Sequence, residues 1–318
     1  MQRILLMKLM LPLLLITLLS ACSTDKADPM RVGTNLWPGY EPLYLAEELN
    51  YMTKDKVRLV EYPSASEVIR AFRNHSLEAA ALTLDEALSL HQDNIPAEVV
   101  LVLDISEGAD VIVARQGIEN FKDLKGQKVA VESGALGAYV ISRALALNNM
   151  TLSDINVVHL DVSNHAAAFK EGTVDAVVTF EPVRTKLLSY GGKDVFSSRE
   201  IPGEIVDVLV IHRDYLQKNP KQAEHLASAW FKSIQYMTTS NTDAAERIAK
   251  RLKITPAEVI ASYDGLQLAG HLENNKMLDG KKGHLHITLK KLSETMVENG
   301  LLKKGLALNG IINDRLIK

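Results

Sequence analysis

Cysteine, basic charge and long apolar runs are all scarce in this sequence of 318 residues. The single cysteine, Cys22, has no partner for an intrachain disulfide. The 36 Lys and Arg residues are outnumbered by 39 Asp and Glu, and the net charge of −3 excludes nucleic-acid binding driven by charge. Beyond the first 22 residues no stretch offers about 18 consecutive apolar residues, so the body of the chain is not predicted to span a membrane.

The sequence motifs of several enzyme classes are also missing. There is no nucleophile elbow, P-loop, dinucleotide fingerprint or HExxH sequence. His284 and His286 are separated by one residue. Because no third histidine or carboxylate is close by in the sequence, the pair favours a solvated helix start over a metal site. We therefore expect a protein that is not an enzyme and that uses neither a metal ion nor a cofactor.

The first 22 residues have the features of a secretory signal. Arg3 and Lys8 form a basic start, and residues 9–19 form an apolar core. That core is too short for a transmembrane helix, which needs about 20 residues. Small residues then precede Cys22. The segment is predicted to direct export and to be removed.

Leu-Ser-Ala-Cys at residues 19–22 resembles the lipobox of bacterial lipoproteins, whose cysteine becomes the lipidated first residue. We expect residues 1–21 to be the signal peptide, Cys22 to carry the lipid and residues 22–29 to form a polar tether. The alternative is an ordinary signal with an incidental cysteine. Location is then extracytoplasmic: the periplasm in a Gram-negative host or the cell surface in a Gram-positive one. Ser23 resembles the residue that sorts lipoproteins to the outer membrane in enteric-type bacteria. The sequence therefore does not decide which membrane holds the anchor.

Apolar periodicity predicts an α/β protein. With 47% apolar residues the chain can bury a large core, and its length suits two lobes. Up to about residue 211, short apolar runs alternate with helical patterns, as in mostly parallel sheets. The runs are residues 31–36, 57–62, 79–82, 99–104, 111–114, 128–131, 156–161, 176–180 and 206–211. The rest of the chain is predicted to be helical and to cover the first lobe.

Two turn-rich segments, residues 117–126 and 198–204, are candidate crossings between lobes. We predict lobe 1 from residues 30–116 and 205–318, and lobe 2 from residues 117–204. Two connections of this kind would form a hinge that lets the lobes close on a ligand.

Three segments together resemble the nitrate/sulfonate/taurine and thiamine-precursor group of ABC-importer substrate-binding proteins. They are Asn-Leu-Trp-Pro-Gly-Tyr at 35–40 with Leu-Tyr-Leu-Ala at 43–46, Phe-Lys-Asp-Leu-Lys-Gly at 121–126, and Val-Asp-Ala-Val-Val-Thr-Phe-Glu-Pro at 174–182. Their order and spacing agree over roughly residues 30–215. The resemblance implies a bilobed, type II-like periplasmic-binding-protein fold with the ligand clamped in the cleft.

Candidate ligand-binding residues follow the first-lobe strands. In open α/β sheets ligands bind where strands end, and Asn35, Trp37 and Tyr40 come directly after the first predicted strand. Trp37 and Tyr40 offer flat apolar faces, although Tyr40 could instead pack the loop, and Asn35 offers an amide. Thr83 and Asp85 open a helix, which predicts a helix cap or a ligand contact, with capping favoured for Asp85.

The second set of candidates follows later strands. Asp110 ends a turn that resembles a ligand-facing loop of the family. Ser133, Gly134 and Ala135 precede a helix whose free N–H groups can hold an anion. Sulfonate-binding relatives often carry hydroxyl residues after that glycine, whereas Ala135 stands here, which weakens the sulfonate hypothesis. Glu181 is equally suited to a helix start or to a ligand amine.

A cleft lined by Asp85, Asp110, Glu132 and Glu181 would have a negative field. Such a field disfavours a simple anion such as nitrate and favours an amine-bearing ligand. We expect a monomeric, lipid-anchored protein that delivers a small polar organic ligand to an ABC permease. The ligand would be sulfonate/taurine-like or aminopyrimidine/thiamine-precursor-like. One alternative is a receptor for a membrane sensor. Another, disfavoured by secretion, is a pyrimidine-synthase-type enzyme on the same fold.

Overall fold

A computed structural model describes residues 28–318. The predicted signal peptide, the predicted lipidation site Cys22 and residues 22–27 of the predicted tether lie outside the described residues. Between residues 28 and 318 no helix has both the length and the apolar character needed to cross a bilayer.

The first sheet has six strands, which are β1 (Met30–Asn35), β2 (Val57–Tyr62), β3 (Ala79–Thr83), β4 (Ala97–Ser106), β10 (Val206–His212) and β11 (Leu266–Leu268). Their order is β11-β4-β10-β3-β1-β2. β1 pairs in parallel with β2 and β3, because helices return the chain to the same end of the sheet. β10 lies antiparallel between β3 and β4, and β11 is antiparallel to β4.

The second sheet has five strands, which are β5 (Val111–Ala114), β6 (Lys128–Val131), β7 (Asn156–His159), β8 (Ala176–Thr179) and β9 (Lys193–Ser197). Their order is β7-β6-β8-β5-β9. β6 pairs in parallel with β7 and β8, whereas β5 is antiparallel to β8 and β9. Both sheets are therefore mixed, and the expectation of mostly parallel sheets holds only for their β-α-β parts.

All nine apolar runs of the sequence correspond to strands. β9 and β11 were not predicted, and each lacks a strong signal. β9 is an edge strand in which only Phe196 is fully buried, and β11 is three residues long. The sequences of short edge strands resemble those of loops, because pairing with a neighbouring strand decides their conformation.

Helices cover the sheets. They are α1 (Glu41–Glu48), α2 (Ala65–Arg73), α3 (Leu84–Gln92), α4 (Leu136–Leu147), α5 (Val162–Glu171), α6 (Val183–Ser189), α7 (Arg213–Lys218), α8 (Pro220–Thr239), α9 (Asn241–Leu252), α10 (Pro256–Ser262), α11 (His271–Leu278) and α12 (His284–Glu298). In α2, Val68, Ile69 and Phe72 are buried at helical spacing, while Arg70 and Arg73 are exposed in the last turn. That pattern buries one face and places cations at the helix C-terminus, where they are favourable.

The C-terminal helices pack on the first sheet, as the sequence predicts. Trp230 of α8 is fully buried, and its Nε1–H donates to the Ala269 carbonyl at 3.0 Å. The Asn274 side chain of α11 accepts from the Val102 N–H at 2.8 Å and donates to the Val102 carbonyl at 2.9 Å. One amide thus fixes the helical layer to strand β4.

The chain crosses from the first sheet to the second at residues 107–110 and returns at residues 198–205. The predicted boundary at residue 117 is too late, because β5 is already paired within the second sheet. Residues 117–126 are a connection between β5 and β6. Turn-forming residues indicate a loop within one sheet as clearly as they indicate a crossing between the two sheets, so composition alone does not distinguish the two.

The two crossings lie side by side. The Ser106 and Ser198 hydroxyls are 2.8 Å apart, and both residues are fully buried. Ser198 Oγ also accepts from the Gly108 N–H at 2.6 Å, and the Ser198 N–H donates to the Asp110 carbonyl at 2.9 Å. This arrangement joins the half built on the first sheet to the half built on the second through two adjacent connections that are hydrogen-bonded to each other.

Candidate functional site: the cleft between the two sheets

A cavity lies where β1, β3 and β8 end, and residues of both halves line it. About 40 Å³ of it is open to the centre of a water molecule, and one water needs about 10–15 Å³ on this measure. The cleft cavity therefore has room for only a few small groups. It is lined by Asn35, Trp37, Tyr40, Ala65, Thr83, Glu86, Asp110, Glu132, Ala135, Leu136, Gly137, Val140, His165, Val178, Thr179, Phe180 and Asp207.

Trp37 is fixed on both sides of the cleft. Its Nε1–H donates to Asp104 Oδ2 at 3.1 Å, and its ring meets Phe180 of the opposite half edge to face, with centroids 5.2 Å apart. A side chain at Gly39 would overlap Asp104 Oδ2 and crowd the Trp37 indole nitrogen. Glycine at that position therefore lets the loop approach Asp104 closely.

Two buried carboxyl groups lie beneath the aromatic residues. Asp104 and Asp207 are opposite each other on β4 and β10, and Tyr40 donates its hydroxyl proton to Asp207 Oδ1. Burial raises the pKa of Asp104 to about 7 and raises that of Asp207 well above its ordinary value. Two carboxylates this close in a dry site favour sharing a proton over ionising together.

Glu86 spans the cleft with its carboxylate. Oε2 accepts from the Thr83 N–H at 2.9 Å at the start of α3, and Oε1 accepts from the Leu136 N–H at 3.0 Å at the start of α4 in the other half. Burial, followed by the charge of Asp85, raises the pKa of Glu86 to about 8. One carboxyl group thus contacts a helix N-terminus from each half.

Glu132 makes the reciprocal contact from the second half. Its Oε1 accepts from the Ser66 N–H at 2.8 Å in the first turn of α2, and its Oε2 accepts from the Val162 N–H at 3.4 Å at the start of α5. Free N–H groups and the helix dipole make such positions favourable for a negative charge. Glu86 and Glu132 together hold the two halves against each other.

Four buried polar atoms of the residues that line the cavity have no hydrogen-bond partner: Thr83 Oγ1, Asp110 Oδ2, His165 Nδ1 and Thr179 Oγ1. These residues are between 1% and 5% exposed. Burial raises the pKa of Asp110 to about 7 and lowers the pKa of His165 to about 4. Leaving a buried polar atom unpaired costs about 1–3 kcal/mol, so these atoms are candidates for ligand contacts.

The structure brings six of the ten predicted ligand-binding residues to the cavity wall: Asn35, Trp37, Tyr40, Thr83, Asp110 and Ala135. Asp85, Ser133, Gly134 and Glu181 are not among the lining residues. Asp85 lies in the first turn of α3 and faces a separate outer groove, together with Ser133 and Gly134. The Ser133 hydroxyl is paired with His159 Nδ1 on the exposed side.

Glu181 serves the helix start that was one of its two predicted roles. Its Oε2 accepts from the Thr185 N–H at 3.2 Å, and its Oε1 is 3.5 Å from Arg184 Nη1. Both partners lie in α6, so the carboxylate is directed at its own helix. Of the four carboxylates expected to make the cleft negative, Asp110 and Glu132 line it, whereas Asp85 and Glu181 do not.

Sequence reasoning missed Glu86, His165 and Asp207 as lining residues. Thr83 and Glu86 have capping-box spacing, a signal for the helix start but not for the second half's contact. Asp207 is a lone carboxylate inside an otherwise apolar strand, which is the kind of residue that marks a functional site. His165 gave no signal, because it lies one turn into a helix and reaches the cavity only through the packing of α5.

In the described part of the chain no group of three or more His, Cys, Asp or Glu residues is placed to hold a metal ion. His284 is exposed at the start of α12, and His286 is partly buried in the same turn.

Comparison with known proteins assigns the chain to a family. The model of the NMT1-like family matches residues 23–253, which is most of the chain. The chain belongs to the NMT1-like family. This NMT1-like chain is 24% identical over 257 residues to an Escherichia coli (strain K12) protein named as an aliphatic sulfonates-binding protein, covering 79% of this chain and 80% of that one. The family resemblance found in the sequence is confirmed.

Solved structures share the fold. The alkanesulfonate-binding protein SsuA from Xanthomonas axonopodis pv. citri, solved bound to MOPS, superposes with a TM-score of 0.76 at 17% identity, covering 91% of this chain and 99% of that one. The desulfurization enzyme DSZB superposes with a TM-score of 0.64 at 14% identity, covering 91% and 97%. The predicted periplasmic-binding-protein fold is confirmed. Because this fold includes binding proteins and an enzyme, function has to be argued from the cleft.

Proposed function

We propose that this NMT1-like protein is the extracytoplasmic solute-binding component of an ABC import system. The observation that carries the proposal is the cleft cavity, which lies between the two halves and has four unpartnered buried polar atoms on its wall. Relatives named as sulfonate-binding proteins support a role in solute capture. A site of this kind binds a small molecule by surrounding it, with apolar walls and a few placed polar groups.

The geometry also suggests how a ligand enters and leaves. The cavity has room for only a few small groups, so an organic ligand needs the halves to separate and then close over it. The hinge at Ser106 and Ser198 offers two adjacent connections about which this can occur. Closure would bring Glu86 and Glu132 to the helix N-termini of the opposite half and bury the ligand.

Anchoring and delivery complete the proposal. The lipid would be attached at Cys22, the residues up to 29 would act as a tether, and the monomeric folded part would present its closed form to a permease. Ser23 favours one alternative, a receptor that presents the same closed form to a membrane sensor, because an outer-membrane anchor would separate the protein from an inner-membrane permease.

The decisive experiment is identification of the ligand. The protein is purified without added ligand and denatured, and released compounds are identified by mass spectrometry. Alkanesulfonates, taurine, 1-propylamine, aminopyrimidines and thiamine are screened in parallel by thermal shift. A ligand specific for the folded state at 100 times its Kd stabilises the protein by about 2.7 kcal/mol. The proposal is contradicted if denaturation releases no compound and none of these probes shifts the melting temperature.

A conservative substitution locates the ligand in the cleft. Thr179→Val removes the unpartnered hydroxyl while keeping the side-chain shape, and we expect about 10-fold weaker binding of the identified ligand. Thr173→Val is the matched control, because Thr173 is exposed and its hydroxyl bonds only to the nearby Ala168 carbonyl. Equal affinities in the two variants would remove Thr179 from the site.

A further inference from the structure

The positions at which this cleft could hold an anion are already occupied. The N-termini of α2 and α4 point into the cleft region from opposite halves, and such helix ends are where sulfonate or phosphate groups bind. Here the Ser66 N–H donates to Glu132 and the Leu136 N–H donates to Glu86. A sulfonate at either helix end would have to displace a carboxyl group of the chain itself.

The polar atoms left on the cavity wall are hydrogen-bond acceptors. His165 Nε2 has the Leu160 carbonyl as its partner at 3.0 Å, so that nitrogen carries the proton and Nδ1 presents a lone pair. Asp110 Oδ2 is a carboxyl oxygen without a partner, and the Thr179 hydroxyl can accept as well as donate. The Thr83 hydroxyl is also without a partner and is of the same kind. A ligand that satisfies the Asp110 and His165 atoms must bring hydrogen-bond donors, which an ammonium or amidinium group supplies.

The acidic composition of the wall agrees with this pattern. Among its lining residues are four acidic side chains, Glu86, Asp110, Glu132 and Asp207, and neither lysine nor arginine. Trp37 and Phe180 add aromatic faces, which attract a cation through the ring quadrupole.

We propose that the cleft cavity binds the cationic end of a small organic ligand, a primary ammonium or an amidinium group, and rejects sulfonates. This inference rests on the proposed solute-binding function and specifies its ligand class. Asp110 is the residue assigned to the cation, with His165 Nδ1 and Thr179 Oγ1 as further acceptors. The ligand preference therefore differs from the one given in the name of the Escherichia coli relative.

Calorimetric titration with a matched pair of probes tests the inference. 1-Propylammonium and 1-propanesulfonate have the same carbon chain and opposite charges, and each is titrated into the full-length protein at about pH 7.5. We expect the amine to bind at least about 100-fold more tightly than the sulfonate, because like charges side by side cost several kcal/mol. Asp110→Asn should weaken amine binding about 10- to 100-fold, since it removes a charge-assisted hydrogen bond.

The control is Glu171→Gln, which removes one negative charge at an exposed position on α5 and should leave amine binding unchanged. Thermal melting of Asp110→Asn checks that the variant is folded.

Proton release or uptake on binding adds a readout that needs no variant. A cation beside Asp110 lowers the raised pKa of that carboxyl, so binding releases protons, whereas a bound anion would raise the pKa further and take protons up. Titrations in two buffers of different ionisation enthalpy give the sign.

The results separate this inference from the function on which it rests. Amine binding with proton release, weakened by Asp110→Asn alone, supports both. Sulfonate binding in the cleft, or amine binding that Asp110→Asn leaves unchanged, overturns the ligand class and keeps the solute-binding function. Failure of both probes to bind overturns the inference, and an absence of any released compound then counts against the function as well.

Discussion

At the scale of single residues, close approach and burial decide the chemistry of the cleft. Gly39 lets the loop after β1 lie against Asp104, which holds the Trp37 indole. We expect Gly39→Ala to lower the free energy of unfolding by about 1–3 kcal/mol, because the new methyl group forces a buried carboxyl to move. Denaturant unfolding measures the loss. Gly270→Ala is the control, since its methyl group would make only an ordinary contact with Ile234, and an equal loss in both variants would contradict the argument.

Buried carboxyl groups predict an unusual pH dependence of stability. The folded-state pKa values of Asp104 and Asp110 are raised to about 7, and that of Glu86 to about 8. The folded protein therefore holds protons that the unfolded chain has lost, and this stabilisation disappears as pH rises through the folded-state values.

The melting temperature should therefore fall between about pH 7 and pH 9, with each carboxyl group contributing of order 1 kcal/mol. Differential scanning calorimetry measures this, and Glu86→Gln should flatten the slope because it removes the group that titrates highest. A melting temperature that is constant or rises over this range would show that these groups are ionised throughout.

How far the sequence predicts the site depends on what each residue's signal reports. Trp37 and Tyr40 were found because they directly follow a strand, and strand ends form the cleft. Asp85 and Glu181 have the same kind of signal but point to their own helices, because a helix start and a ligand site favour the same side chains. His165 was missed because only tertiary packing brings it to the cavity.

At the scale of secondary-structure elements, the reciprocal carboxylates join helices of opposite halves. Glu132→Ala removes the acceptor of the Ser66 N–H, so we expect backbone amides at the start of α2 to exchange about 10-fold faster with solvent. Hydrogen exchange followed by mass spectrometry measures this. Glu171→Ala, at an exposed position on α5, is the control. Unchanged protection at Ser66 in Glu132→Ala would show that Glu132 does not hold the halves together.

Element-scale prediction succeeded where the signal was local. Nine apolar runs gave nine strands, and the helical C-terminal layer was placed correctly. The crossing at residues 107–110 was missed because it is four residues long, and the sheet to which β5 belongs is fixed by pairing with β8 and β9. The directions of β5 and β10 were not predicted for the same reason. Each strand is antiparallel to its neighbours because the chain enters it directly from a crossing between the two sheets.

At the scale of the whole molecule, the predicted lipid anchor determines whether the protein is recovered with the membranes after cell fractionation. Cys22→Ser should release the protein from membranes, because the thiol that would carry the lipid is gone, while ligand binding by the folded part should be unaffected. Cell fractionation and incorporation of labelled palmitate measure this. Ser23→Thr is the control for a change next to the cysteine. Membrane attachment that persists in Cys22→Ser would contradict the predicted lipid anchor.

The central claim is that a ligand binds in the cleft between the two halves, and the chain contains a reporter for it. Of its two tryptophans, Trp37 lines the cleft cavity, whereas Trp230 is fully buried in α8 and its indole donates to the Ala269 carbonyl. The most direct measurement is tryptophan emission of Trp230→Phe during titration with 1-propylammonium and with any compound that shifts the melting temperature. The account predicts a saturable change in Trp37 emission at the calorimetric Kd, and none in Trp37→Phe. A bound ligand that leaves Trp37 emission unchanged would place the binding site elsewhere and contradict the account.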